Sequence, residues 1–245
     1  MSPITPASEL EGDSECFGTP LNAAIKSQHH DLTITILDLM KLANVKDIRD
    51  CLQEAVIVDD IVILQYHLHH AQPILLDEQL SLTDALIESA QFGRVNAGRR
   101  LFSFINENYA AIINDDLLTK STYYASFWGH VEFLELLAQH GANMEDKLTG
   151  EGLSRATPIM LAAWRGNTEL LRWLMRGWTK AQLAKHACRA VIAAIDGDQV
   201  ESLKNLFEAG VRESLYVKTE VTNYSFVPFF TTLTEHFTTL SSTPL

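Results

Sequence analysis

Residues 120 to 178 constrain this chain most, because they hold two copies of one short pattern. The second copy reads Thr157-Pro158-Ile159-Met160-Leu161-Ala162-Ala163-Trp164-Arg165-Gly166, then Glu169-Leu170-Leu171 and Trp173-Leu174, and closes at Gly177. The first reads Ala125-Ser126-Phe127-Trp128-Gly129-His130, then Glu132-Phe133-Leu134 and Leu136-Leu137, and closes at Gly141-Ala142-Asn143. Each copy spells a short helix, a glycine turn, a second helix and a glycine-containing exit. Ala162-Ala163 and Ala125-Ser126 are small enough to let helices pack closely, Pro158 suits a first helical turn and Thr157 suits an N-cap. Gly129 and Gly166 accept the positive φ that a helix reversal needs. Leu170, Leu171 and Leu174 make an apolar face that one hairpin cannot bury, so the unit needs a copy on either side.

Both copies resemble the ankyrin repeat. The Thr-Pro start, the small pair, the glycine, the paired leucines and the closing glycine are met at most positions. The resemblance implies an all-α solenoid of stacked helix-turn-helix units with short or degenerate β-hairpin loops, working as a protein–protein interaction module. Fainter units flank the clear ones. Gly18-Thr19-Pro20-Leu21-Asn22-Ala23-Ala24 leads to a turn near Gln28, and residues 50 to 68 turn at Asp59-Asp60. A third runs from Leu82 to Gly93, and a last one carries Ala193-Ala194, Gly197-Asp198, Leu203, Leu206-Phe207 and Gly210. Turns at Gln28, Asp59, Gly93, Gly129, Gly166 and Gly197 stand 31, 34, 36, 37 and 31 residues apart. That is the period of about 33 expected for this repeat, and it excludes a Rossmann or barrel fold.

The longer steps predict insertions at 106–116 and 147–155, where a hairpin finger would lie, with Lys147-Leu148-Thr149-Gly150-Glu151-Gly152 as an extended loop. Residues 1–16, rich in Pro, Ser and acidic groups, are expected to be a mobile leader; 17–215 form the repeat domain and 216–245 a tail or capping helix. Phe229, Phe230, Leu233, Phe237 and Leu240 follow helical spacing after Pro228 and are expected to seal the last repeat. The closing residues Leu240-Ser241-Ser242-Thr243-Pro244-Leu245 are similar to carboxy-terminal signals of bacterial type IV effectors, the alternative functional reading. The histidine that in ankyrin repeats links neighbouring units is replaced by Asn22, Gln53, Ile87, Tyr123, Met160 and Val191, so stacking is expected to rest on apolar contact.

Charge narrows the partners. Lys and Arg number 19 against 31 Asp and Glu, a formal charge of −12, which is the wrong sign for a phosphate backbone or an anionic membrane. No run approaches the roughly 18 apolar residues of a membrane span, and Met1-Ser2-Pro3-Ile4-Thr5-Pro6 lacks the basic and apolar regions of an export signal. Cys16, Cys51 and Cys188 are few and far apart, as reduced thiols of a cytoplasmic protein are. The expectation is a monomer in the cytoplasm, or one delivered into a host cell in the effector reading.

In ankyrin repeats the two residues between the small pair and the turn project into the concave groove. The resemblance therefore assigns Phe92, Phe127, Trp128, Trp164 and Arg165 as partner-binding residues, the types enriched in binding hot spots. No catalytic, cofactor or metal site is assigned. His67, His69 and His70 cluster, with His67 and His70 spaced to share a helix face, but no fourth ligand has a suggestive spacing, and Cys188 beside His186 points away from it on a helix. Asp59-Asp60 and Asp115-Asp116 fit turns and helix starts. Gly150-Glu151-Gly152 lacks the rest of a phosphate-binding motif.

Overall fold

The structure is a computed structural model that describes residues 20–40, 45–70, 79–145, 148–150, 153–176 and 178–211. The expected leader over 1–16, the cap over 228–240 and the closing signal over 240–245 lie outside the described residues. The chain divides into two compact units, 1–117 and 118–245.

The first unit holds three helix pairs among its described residues. They are α1 (Pro20–Lys26) with α2 (His30–Met40), α3 (Val45–Ile57) with α4 (Ile61–His70), and α5 (Gln79–Gln91) with α6 (Val95–Asn108). First helices stack on first helices, α1 on α3 and α3 on α5, and second helices stack likewise. The core follows the apolar faces: Leu21, Ala24 and Ile25 in α1, Cys51, Leu52, Ala55 and Val56 in α3, and Leu82, Leu86 and Ala90 in α5. Gln53 Nε2 donates to Glu88 Oε1 at 2.8 Å, so one of the residues standing where the family has histidine does link neighbouring helix pairs. The insertion at 106–116 is no finger: after α6 the chain makes a 3-10 turn, Ala110–Ile112, and enters α7 (Asp115–Trp128). The Asn114 side chain starts that helix by accepting from the Leu117 amide at 2.9 Å, a local polar turn that leaves no room for a hairpin.

The second unit begins within α7 and continues with α8 (Val131–Gln139), α9 (Pro158–Arg165), α10 (Thr168–Met175), α11 (Lys180–Asp196) and α12 (Val200–Glu208). Here too first helices pack together, α9 on α11, and second helices together, α8 on α10 and α10 on α12. Leu170, Leu171 and Leu174 are buried, as are Phe133, Leu134, Leu136 and Leu137. Outside that core, Trp173 Nε1 donates to Glu135 Oε1 at 2.8 Å and Arg172 Nε to Asn205 Oδ1 at 2.7 Å, each joining consecutive second helices. The finger expected at 147–155 is present as an antiparallel hairpin, β1 (Leu148–Gly150) and β2 (Leu153–Ala156). Thr157 has N-cap backbone geometry, with φ −106° and ψ 159°, yet its buried hydroxyl caps no amide. Pro158 and the hairpin fix that helix start instead, whereas Thr179 forms a full capping box with Gln182.

Candidate functional site

The turn residues fix which side chains correspond between repeats. Gln28, Asp59, Gly93, Gly129, Gly166 and Asp198 all have positive φ. In each turn the following amide bonds the same helical carbonyl: His29 to Ala24, Asp60 to Ala55, Arg94 to Ser89, His130 to Ala125, Asn167 to Ala162 and Gln199 to Ala194. The last turn is therefore Asp198 and not Gly197. Gly197 serves another purpose, since a Cβ there would run into the Trp164 carbonyl oxygen. This moves the last repeat's pair of groove positions to Asp196 and Gly197, and its counterpart of the family histidine to Ile192.

With that register, the five assigned residues separate into two kinds. Trp128 is 39% exposed and Phe92 40%, and Arg165 is exposed as well. Phe127 is only 2% exposed and Trp164 only 8%. The expectation that Phe127 and Trp164 lie open is thus corrected. In these two repeats the first position of the pair is buried and the second exposed, since one step round a helix turns a side chain by about 100°. Phe92 lies in the first unit; the other four belong to the second.

In the second unit these four side chains meet. The rings of Phe127 and Trp164 stand 6.1 Å apart and those of Phe127 and Trp128 5.2 Å apart, the latter edge to face. The Arg165 guanidinium carbon lies 4.6 Å from the Phe127 ring centre and 5.4 Å from that of Trp128. Among the described residues no carboxylate forms an ion pair with Arg165 within 4 Å. Sequence reasoning missed Tyr123, which stacks on Phe127 at 6.0 Å from one turn earlier; the i, i+4 spacing was the available signal. Burial pushes the Tyr123 phenol well above its ordinary pKa, and the neighbouring Tyr124 adds to this while Arg165 opposes it. The arrangement is a cation laid on an aromatic base, with one indole beside it facing solvent.

Residues 122–175 match the family described as ankyrin repeats (many copies). These are ankyrin repeats. No curated protein matches the chain. The ankyrin match covers α7 through α10 and the hairpin, and so contains Phe127, Trp128, Trp164 and Arg165. Ankyrin repeats are in general protein–protein interaction modules.

The remaining candidate chemistry is dispersed. His67 is buried, and His69 Nε2 stands 3.4 Å from the Arg100 guanidinium. His186 is buried beside Trp178, with Nε2 3.4 Å from Glu145 Oε2, where it helps Gln182 and Lys185 anchor the segment after α8 to α11. Among the described residues no three His, Cys, Asp or Glu groups are placed to hold a metal, and no helix is long and apolar enough to cross a membrane. Cys51 is free and buried, and burial pushes its thiol far above the ordinary range, which leaves it protonated and unreactive.

Proposed function

We propose that this ankyrin-repeat protein binds a protein or peptide partner through the groove side of its second unit, with Trp128 and Arg165 as the contact residues. Phe127 and Trp164 form the buried base that holds those two in place. The observation that supports this reading is the Arg165 cation resting 4.6 Å over Phe127 while exposed and, among the described residues, without a carboxylate partner. A guanidinium already held against a ring loses little freedom when a ligand arrives, and its N–H fork suits a bidentate carboxylate. The favoured ligand is therefore a peptide with Asp or Glu next to an aromatic or branched aliphatic side chain that covers Trp128. Phe92 presents a second exposed ring at the equivalent register in the first unit, as a separate contact. The working state in this reading is a monomer.

Selection of displayed peptides against the wild type, with Trp128→Ala and Arg165→Glu as counter-screens, tests this. The expected binders carry a carboxylate beside an apolar residue and lose about tenfold or more in affinity to each variant, on the order of 1.4 kcal/mol. Binders indifferent to both substitutions would place the contact surface elsewhere.

A further inference from the structure

The register that separates groove from core also marks an uncovered end. One residue beyond the carbonyl that accepts the turn amide stand Ile25, Val56, Ala90, Ser126, Ala163 and Ile195. The first five are fully buried, and Ile195 is 59% exposed. Ile192 is exposed as well, whereas its counterparts Met160 and Tyr123 are buried and Asn22, Gln53 and Ile87 half-buried. Val200, in the first turn of α12, is exposed where Val95 and Val131 are half-buried. Helix α11 already has α9 before it and α12 beside it. Among the described residues it lacks only a successor, and the exposed residues are those a successor would cover.

We propose that this end face, Ile192, Ile195 and Val200, is covered by the chain's own residues 228–240. Helix α12 ends at Glu208; the last described residue, Val211, is itself buried, and 34 residues follow it. Within them Phe229, Phe230, Leu233, Phe237 and Leu240 recur at the spacing of one apolar helical face, directly after Pro228. Sixteen residues, 212 to 227, separate Val211 from Pro228, a length that spans roughly 20 Å even without full extension, about twice the width of a helix, so 228–240 is within reach of the end of the pair. An uncovered apolar end invites further stacking, and a segment rich in phenylalanine closes it within one molecule. This proposal does not depend on the reading of Trp128 and Arg165.

A double-mutant cycle on the full chain tests it, with Ile195→Glu on one side, Phe229→Glu with Phe237→Glu on the other, and all three together. Each side alone is expected to lower the melting temperature by several degrees and to strip amide-exchange protection from the end of α11, with the triple variant no worse than the more damaged parent. Sedimentation should show a monomer throughout. Tail substitutions that leave melting and α11 protection unchanged would overturn the proposal. So would a concentration-dependent dimer abolished by Ile195→Glu, since a second copy would then be the occupant.

Discussion

The helix pairs over residues 20–70 and those over 122–175 close the same backbone turn with different residues. In the first region the left-handed positions are Gln28 and Asp59, with φ 54° and 58°; in the second they are Gly129 and Gly166, with φ 82° and 76°. The contact to the next repeat is also reversed. Asp59 reaches forward, accepting from the Ala97 amide at 3.1 Å and from Asn96 Nδ2 at 3.3 Å. At Gly129 the side chain comes from the other direction, because Asn167 fills the space where a Cβ would sit, only 2.5 Å from its Nδ2. At these two junctions one polar side chain fills the turn, supplied by the earlier repeat at Asp59 and by the later one at Gly129. The family match covers residues 122–175, whereas the helix pairs begin at Pro20.

The largest effect should separate the two indoles of the second region. Trp164→Ala removes a buried ring and is expected to cost about 3–5 kcal/mol of stability, while Trp128→Ala, at a partly exposed position, should cost less than about 1 kcal/mol. Urea unfolding followed by circular dichroism reads both. Equal losses would mean that the two rings share one environment.

The turns themselves give a smaller effect, of opposite sign in the two regions. Gly129→Ala places a Cβ at positive φ and against Asn167, for an expected loss of about 1–2 kcal/mol. Gln28→Gly relieves a left-handed side chain worth about 1–2 kcal/mol against a chain-entropy cost of about 0.5–1 kcal/mol. A net gain of about 0.5 kcal/mol should therefore appear in the same unfolding experiment.

Much of this frame was legible in the sequence, and the departures have specific causes. Five of the six turn residues and the hairpin around Gly150-Glu151-Gly152 follow from glycine placement and period alone. The sixth turn falls one residue later than the glycine pattern predicts, because the missing Cβ of Gly197 serves the close approach of the Trp164 carbonyl. At the site, the identity of the ring cluster was readable from Phe127-Trp128 and Trp164-Arg165. Which ring faces out was not, because that depends on where the next repeat lies, and neighbouring residues of one helix diverge by about 100°. The insertion at 106–116 could have been a hairpin by length; the Asn114 cap and the 3-10 turn decided otherwise.

The smallest predicted effect is a difference in pH response between the units. Burial first, and then the charge of Asp84, pushes the Glu88 carboxyl up to about 7 despite the Gln53 hydrogen bond and with a further push from Glu54. Between its unfolded value of 4.5 and about 7 the folded first unit binds the extra proton, so its stability falls as pH rises through that window. In the second unit burial, aided by Lys185, holds His186 below its ordinary value, and the Gln182 bond holds Glu145 below its own. There the unfolded chain binds the extra protons, so stability falls as the solution is acidified. Amide protection corrected for intrinsic exchange should therefore weaken in residues 79–91 on going from mildly acidic to mildly basic solution, and strengthen in 180–196. Glu88→Gln should flatten the first trend alone; the same slope in both units would contradict the assignment.

The most direct test of the account is acrylamide quenching of two single-tryptophan forms, one keeping Trp128 and the other Trp164, with the remaining three tryptophans changed to Phe. Blue-shifted, poorly quenched emission is expected from Trp164, and red-shifted, readily quenched emission from Trp128, which alone becomes protected when a selected peptide binds. An accessible Trp164, or a Trp128 shielded before any ligand is added, would contradict it.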